Sequence, residues 1–125
     1  MARILCVDDE PHVATQQCSL LAAAGHDVTA SASAHDAVEK IRQHPFDLVV
    51  TEWRLNGADA GGRAVLEAAR AHSSAPVVVV SASLDQALQA QPRADLYLEK
   101  PVPSHILLTG LDELLKRRVK STADV

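Results

Sequence analysis

The chain has 125 residues, 47% hydrophobic and 22% charged, with a formal net charge of −4. That composition describes one ordinary globular domain with a real core and excludes disorder of the whole chain. An excess of acids also disfavours non-specific nucleic-acid binding, which depends on Lys and Arg neutralising phosphates.

Met1-Ala2-Arg3 leads straight into the apolar run Ile4-Leu5-Cys6-Val7, so no secretory signal is expected and a cytoplasmic location is. From Pro11 to about Ala24 the pattern is helical, with Val13, Leu20, Leu21 and Ala24 on one face and Gly25 as the stop. Gln17 shares that face without an evident reason. A weak, polar strand covers Asp27 to Ser31. Ser33-Ala34-His35-Asp36 has capping-box form and opens a helix with Ala37, Val38 and Ile41 inward, ended by Pro45. Asp47 to Glu52 reads as a strand with a continuous apolar centre, as in a strand covered on both faces. Asn56 to Gly62 is loop, and Arg63 to about His72 is helix with Val65, Leu66 and Ala69 inward. Val77-Val78-Val79-Val80-Ser81 is a strand. Leu84 to Gln91 leaves about two helical turns before Pro92. Asp95 to Leu98 is a last short strand. Ser104 caps a final helix striped by Leu107, Leu108, Leu111, Leu114 and Leu115, with a frayed tail after Val119.

Five β-α units imply a parallel sheet with helices on both faces. The expected architecture is α/β, a flavodoxin-like (βα)5 three-layer sandwich of strand order 2-1-3-4-5. Residues 1–120 form its one domain and 121–125 a flexible tail. No apolar run approaches the roughly 20 residues of a membrane span, so no membrane partner is expected. Phe46, Trp53 and Tyr97 are the only aromatic residues, too few for a platform that stacks single-stranded bases. Cys6 and Cys18 read as reduced packing residues. The six His, at 12, 26, 35, 44, 72 and 105, are scattered without metal-ligand spacing. Lys116-Arg117-Arg118 with Lys120 reads as a solvated helix end complementing the dipole.

In such a sheet the site lies at the carboxyl ends of the strands. There the first strand ends in Asp8-Asp9-Glu10, the third in Glu52, the fourth in Ser81 and the fifth in Leu98-Glu99-Lys100-Pro101. Clustered carboxylates repel unless a cation is present. Oxygen-only ligands suit Mg²⁺, and a lysine with a hydroxyl suits a phosphoryl group.

Asp8-Asp9, Ser81-Ala82 and Lys100-Pro101, in this order after strands 1, 4 and 5, resemble the motifs of the receiver domain of bacterial two-component response regulators. The resemblance covers Arg3 to about Arg118. It implies a signalling module and not an enzyme, working with a histidine kinase or other signalling protein, and with an output domain or a second copy as further partners. It also implies that an aspartate ending strand 3 accepts a phosphoryl group. Mg²⁺ would be held by Asp9 directly, by Asp8 through water, by the acceptor and by the Arg54 carbonyl. Lys100 and Ser81 would bind the phosphoryl oxygens, Tyr97 would swing with that event, and the Lys100–Pro101 bond would be cis.

The sequence departs from this pattern. Glu52 occupies the acceptor position; Asp47 lies at the opposite edge of the sheet and Asp59 in the following loop. The extra methylene adds roughly 1.5 Å. Phosphorylation is therefore expected to be poor or absent, with Glu52 bonding Lys100 or Ser81 in partial imitation of a phosphate. Mg²⁺ is the expected cofactor, its binding weakened or absent; the blander reading is that Glu52 still coordinates Mg²⁺ and little else changes. The alternative is a conventional Mg²⁺-dependent receiver with an engineered acceptor. The interval from Ser81 to Lys100 is also short, and Asn56-Gly57 replaces the usual proline after the acceptor loop. Trp53 either shields the site or packs against a neighbouring loop. A small haloacid-dehalogenase-like phosphatase would pair its acids as Asp-x-Asp on one strand face, unlike the adjacent Asp8-Asp9. A flavodoxin-like FMN carrier would not place acids where a phosphate sits.

Overall fold

Val77 to Val80 bury side chains alternately on both sides of one strand, so helices must cover both faces of the sheet. The computed structural model describes residues 1–57 and 61–123. In chain order these form β1 (Arg3–Val7), α1 (Pro11–Ala23), β2 (Asp27–Ser31), α2 (Ala34–Gln43) and β3 (Leu48–Thr51). There follow α3 (Gly61–His72), β4 (Val77–Ser81), α4 (Asp85–Gln89), β5 (Leu96–Glu99) and α5 (Ser104–Ala123). All strands pair in parallel in the order β2-β1-β3-β4-β5, the flavodoxin-like arrangement expected.

Period-2 alternation divides the core. Leu5, Val7, Val49, Val77 and Val79 meet α2, α3 and α4 through Ile41, Leu66 and Ala87. Ile4, Leu48, Val50, Val78 and Val80 meet α1 and α5 through Leu21, Leu107, Leu111 and Leu114. The inward positions expected for α3 and α5 are placed against the sheet accordingly.

Local chemistry adjusts several expectations. On α1, Leu21 is buried, but Ala24 is exposed because it is already the C-cap, with Gly25 at φ 96° behind it. Gln17 has its reason in Cys6 on β1, whose thiol donates to Gln17 Oε1 at 3.1 Å. A polar helix residue thus covers a buried polarizable atom rather than a hydrocarbon. The capping box on α2 is half made. Ser33 Oγ accepts from Asp36 N at 3.1 Å, but the Asp36 carboxylate turns to Ser31 Oγ (2.7 Å) and Lys40 instead of returning to the cap. α4 keeps only five residues. α5 runs to Ala123, into the stretch expected as tail, and residues 124 and 125 lie outside the described residues. Arg118 is more than a solvated helix end, since it donates to Asp47 Oδ1 at 3.0 Å and ties α5 to the start of β3.

Candidate functional site

The rim is built from strand exits. Asp8 N donates to Ser31 O at 3.0 Å and Glu52 N to Val7 O at 2.9 Å, so sheet hydrogen bonding runs one residue past β1 and β3. Lys100 N donates to Ser81 O at 2.9 Å, which brings the end of β5 level with that of β4, and Lys100–Pro101 is cis. Asp8, Glu52 and Ser81 are all buried although polar. Such groups are tolerable inside only when partnered.

Lys100 supplies the partner. Its Nζ donates to Asp8 Oδ2 at 2.8 Å and to Glu52 Oε1 at 2.9 Å, with a fifth of the side chain still exposed. The other oxygens are engaged too. Asp8 Oδ1 accepts from Glu10 N at 2.9 Å. Glu52 Oε2 accepts from Trp53 N at 2.6 Å and lies 3.4 Å from Arg54 N, so the longer side chain curls back over its own loop. Burial works against the Lys100 charge, but the hydrogen bonds to Asp8 and Glu52 outweigh it and hold the ammonium above the ordinary lysine pKa.

Asp9 faces the loop after β3, where its Oδ2 accepts from Asn56 N at 2.8 Å. Asn56 (φ 54°) and Gly57 (φ 77°) both take left-handed backbone, which aims that amide at Asp9. Asn56 was not among the expected site residues; the Asn-Gly pair was the signal that a tight turn stood there. Ser81 Oγ accepts from Ser83 N at 3.4 Å, and no Ser81–Glu52 bond is present among the described residues. Asp9, Glu52, Arg54 and Ser81 line a cleft of about 540 Å³, with Trp53 on its wall. Trp53 is itself buried in the core under the loop.

Tyr97 is not brought to this rim. Its hydroxyl accepts from Ala94 N at 2.8 Å, toward the start of β5, and Arg93 stacks 4.8 Å over the ring. Asp47 lies at the far edge, bonded by Arg3 N at 2.8 Å. Asp59 lies outside the described residues.

The oxygen-only set of Asp8, Asp9 and Glu52 suits Mg²⁺ by chemistry. The Lys100 ammonium holds the point between Asp8 and Glu52, and among the described residues no group of three or more acids, His or Cys is disposed to hold a metal.

A polar rim of this kind at the strand ends of a parallel 2-1-3-4-5 sheet defines a class, the flavodoxin-like α/β domains. Residues 4–112 match the model of the response regulator receiver domain, and the chain belongs to that family. It is 34% identical over 122 residues to the transcriptional regulatory protein KdpE of Mycobacterium tuberculosis, covering 94% of this chain and 49% of that protein. A CheY-like response regulator receiver domain protein from Methanospirillum hungatei superposes with a TM-score of 0.87 at 27% identity, covering 97% of this chain and 98% of that one. The receiver domain of the sensor histidine kinase PA1611 from Pseudomonas aeruginosa superposes at 0.80 with 26% identity, covering 92% and 98%; it carries a magnesium ion coordinated in its active-site cleft. The chain spans about half the length, or less, of the curated relatives it matches. The match does not favour the haloacid-dehalogenase alternative. Among the described residues no helix is long and apolar enough to cross a membrane.

Proposed function

We propose that residues 1–120 are a cytoplasmic receiver module of a two-component relay in which Glu52 stands at the acceptor position and phosphorylation is poor or absent. The module passes its signal by protein–protein contact. Its partners are a histidine kinase or another signalling protein, with an output domain or a second copy downstream. The observation that carries this reading is the double bond of Lys100 Nζ to Asp8 and Glu52. In such a site the lysine is the group that would neutralise phosphoryl oxygens, and here a resident carboxylate already occupies it.

The imitation is partial. A carboxylate carries −1, against about −1.5 to −2 for a phosphoryl group with its three acceptor oxygens. Ser81, bonded by Ser83 N, is left out. Glu52 is also badly placed for attack. Both of its oxygens are held, and displacing a reacting oxygen by about 1 Å costs on the order of 100-fold. Mg²⁺ binding is weakened or absent because Lys100 competes for the same two carboxylates. The protein, incubated with Mg²⁺ and acetyl phosphate and weighed intact, is expected to show no phosphate adduct. A stoichiometric adduct would overturn the reading.

A further inference from the structure

Arginines from two helices meet at the edge of the sheet opposite the acidic rim, where β4 and β5 begin. Arg70 comes from the last turn of α3. Arg117 and Arg118 come from α5, three and four residues after Leu114 and so on its face of the helix. With Ser74 and Pro76 of the α3–β4 connection they line a cleft of about 330 Å³.

Two of the guanidiniums are held in place by the strand starts. Arg70 Nη2 donates to Asp95 Oδ2 at 2.8 Å and to Arg93 O at 2.9 Å, and its Nη1 to Ala75 O at 3.5 Å. A guanidinium has five N–H donors, so two of Arg70's have no acceptor among the described residues. Asp95 Oδ2 also accepts from Val77 N at 2.8 Å, which fixes the carboxylate that fixes Arg70. Arg118 Nη1 donates to Asp47 Oδ1 at 3.0 Å and its Nη2 to Ser74 Oγ at 3.4 Å. Arg117 is exposed and has no hydrogen-bond or ion-pair partner among the described residues. Three guanidiniums thus line the cleft against one carboxylate, Asp95, and a positive charge remains when Asp47 behind Arg118 is added. The chain as a whole carries −4, so this corner runs against its average. Tying helices to strands accounts for Arg70 and Arg118; it does not account for Arg117 beside them or for the open space between.

We propose that this cleft binds a small phosphate monoester. Arg117, the remaining donors of Arg70 and the Ser74 hydroxyl meet the phosphoryl oxygens, and the organic group of the ester lies on Leu114 and Pro76. Guanidiniums suit such a group because their planar fork presents paired donors, where an ammonium presents a point charge. The volume is at the lower end of the roughly 300–1,000 Å³ of small-molecule sites, which favours a compact ester over a segment of another protein. The ligand is bound without bond making or breaking. It sits at the amino ends of the strands, away from Lys100, and so is independent of the acceptor position.

The test is a titration of the full chain followed by backbone amide and arginine Nε signals in proton–nitrogen correlation spectra. Phenyl phosphate and inorganic phosphate are the probes, with phenol and sodium chloride at matched ionic strength as controls and a phosphoserine peptide as a further arm. Phenyl phosphate should shift Arg70, Ser74 and Arg117 saturably at millimolar concentration, more tightly than inorganic phosphate, while Asp9, Glu52 and Ser81 stay in place. Arg117→Gln should weaken that binding by about tenfold. The exchange removes an exposed side chain with no partner to lose, so the fold is retained. Shifts reproduced by sodium chloride would overturn the proposal, as would shifts centred on the acidic rim or an Arg117→Gln protein that binds like the parent. Equal affinity for inorganic phosphate would overturn the ester assignment, and so would a phosphoserine peptide that binds where phenyl phosphate does not.

Discussion

Lys100→Met is expected to lower the unfolding free energy by about 3 kcal/mol, measured by urea denaturation at neutral pH. The variant keeps an unbranched side chain of similar length and removes the charge. Asp8 and Glu52 would then face each other without the ammonium that now lies 2.8 and 2.9 Å from them. Removing one member of a buried ionic group typically costs about 3–5 kcal/mol; the lower end applies because Lys100 keeps a fifth of its side chain in water. The two carboxylates would then relieve their repulsion by taking up a proton or a divalent cation. The variant should accordingly regain stability in millimolar Mg²⁺, while the unmutated protein changes little. The same pair gives the protein an alkaline limit. Because folding raises the Lys100 pKa, its contribution is complete below the ordinary lysine value of about 10.4 and is lost as pH rises through the folded value. A Lys100→Met protein as stable as the parent, with no response to Mg²⁺, would mean that the bridge contributes nothing.

Gly62→Ala is expected to be as damaging, by about 3 kcal/mol or more, and to disturb the site from a distance. Two effects compete. Alanine is favoured over glycine inside a helix by about 1 kcal/mol. Against that, a Cβ at Gly62 would lie 2.5 Å from Trp53 Cα and closer still to the Glu52 carbonyl oxygen. Both obstacles are backbone and cannot rotate away. Gly62 N also donates to Trp53 O at 2.6 Å, so α3 begins pressed against the chain that leaves β3. The clash exceeds the propensity gain, and the strain is delivered to the residue next to Glu52. Gly110→Ala is the control. There the Cβ meets only the tip of Leu96, Cδ2 at 2.7 Å, which can turn aside, and the expected change is near zero. Thermal unfolding of the two variants separates steric from propensity effects; equal melting temperatures would contradict the close approach at Gly62.

The strand-end rim was legible because sheet topology fixes where strands end, whatever the helices do. Asp8, Glu52, Ser81 and Lys100 follow directly from apolar runs of four or five residues, and the structure places all four at one edge. What stayed hidden depends on partners distant in sequence. Gln17 looked misplaced because helical periodicity counts polarity and cannot see a thiol across the layer. The carboxylate of Asp36 was expected to close its own helix cap, but Ser31 and Lys40 offered stronger donors. Tyr97 was tied to the rim by resemblance alone, and its hydroxyl is instead satisfied by a backbone amide three residues earlier. The Asn56 amide became a site group only through two consecutive left-handed residues that no hydrophobic pattern encodes.

The most direct test compares the initial rate of phosphate incorporation from acetyl phosphate and Mg²⁺ in the unmutated protein and in Glu52→Asp, by intact mass. Shortening that one side chain withdraws the carboxylate from Lys100, so labelling of the aspartate form should be faster by about 100-fold or more. If the glutamate form is labelled as fast as the aspartate form, a resident carboxylate does not stand in for the phosphoryl group, and the account fails.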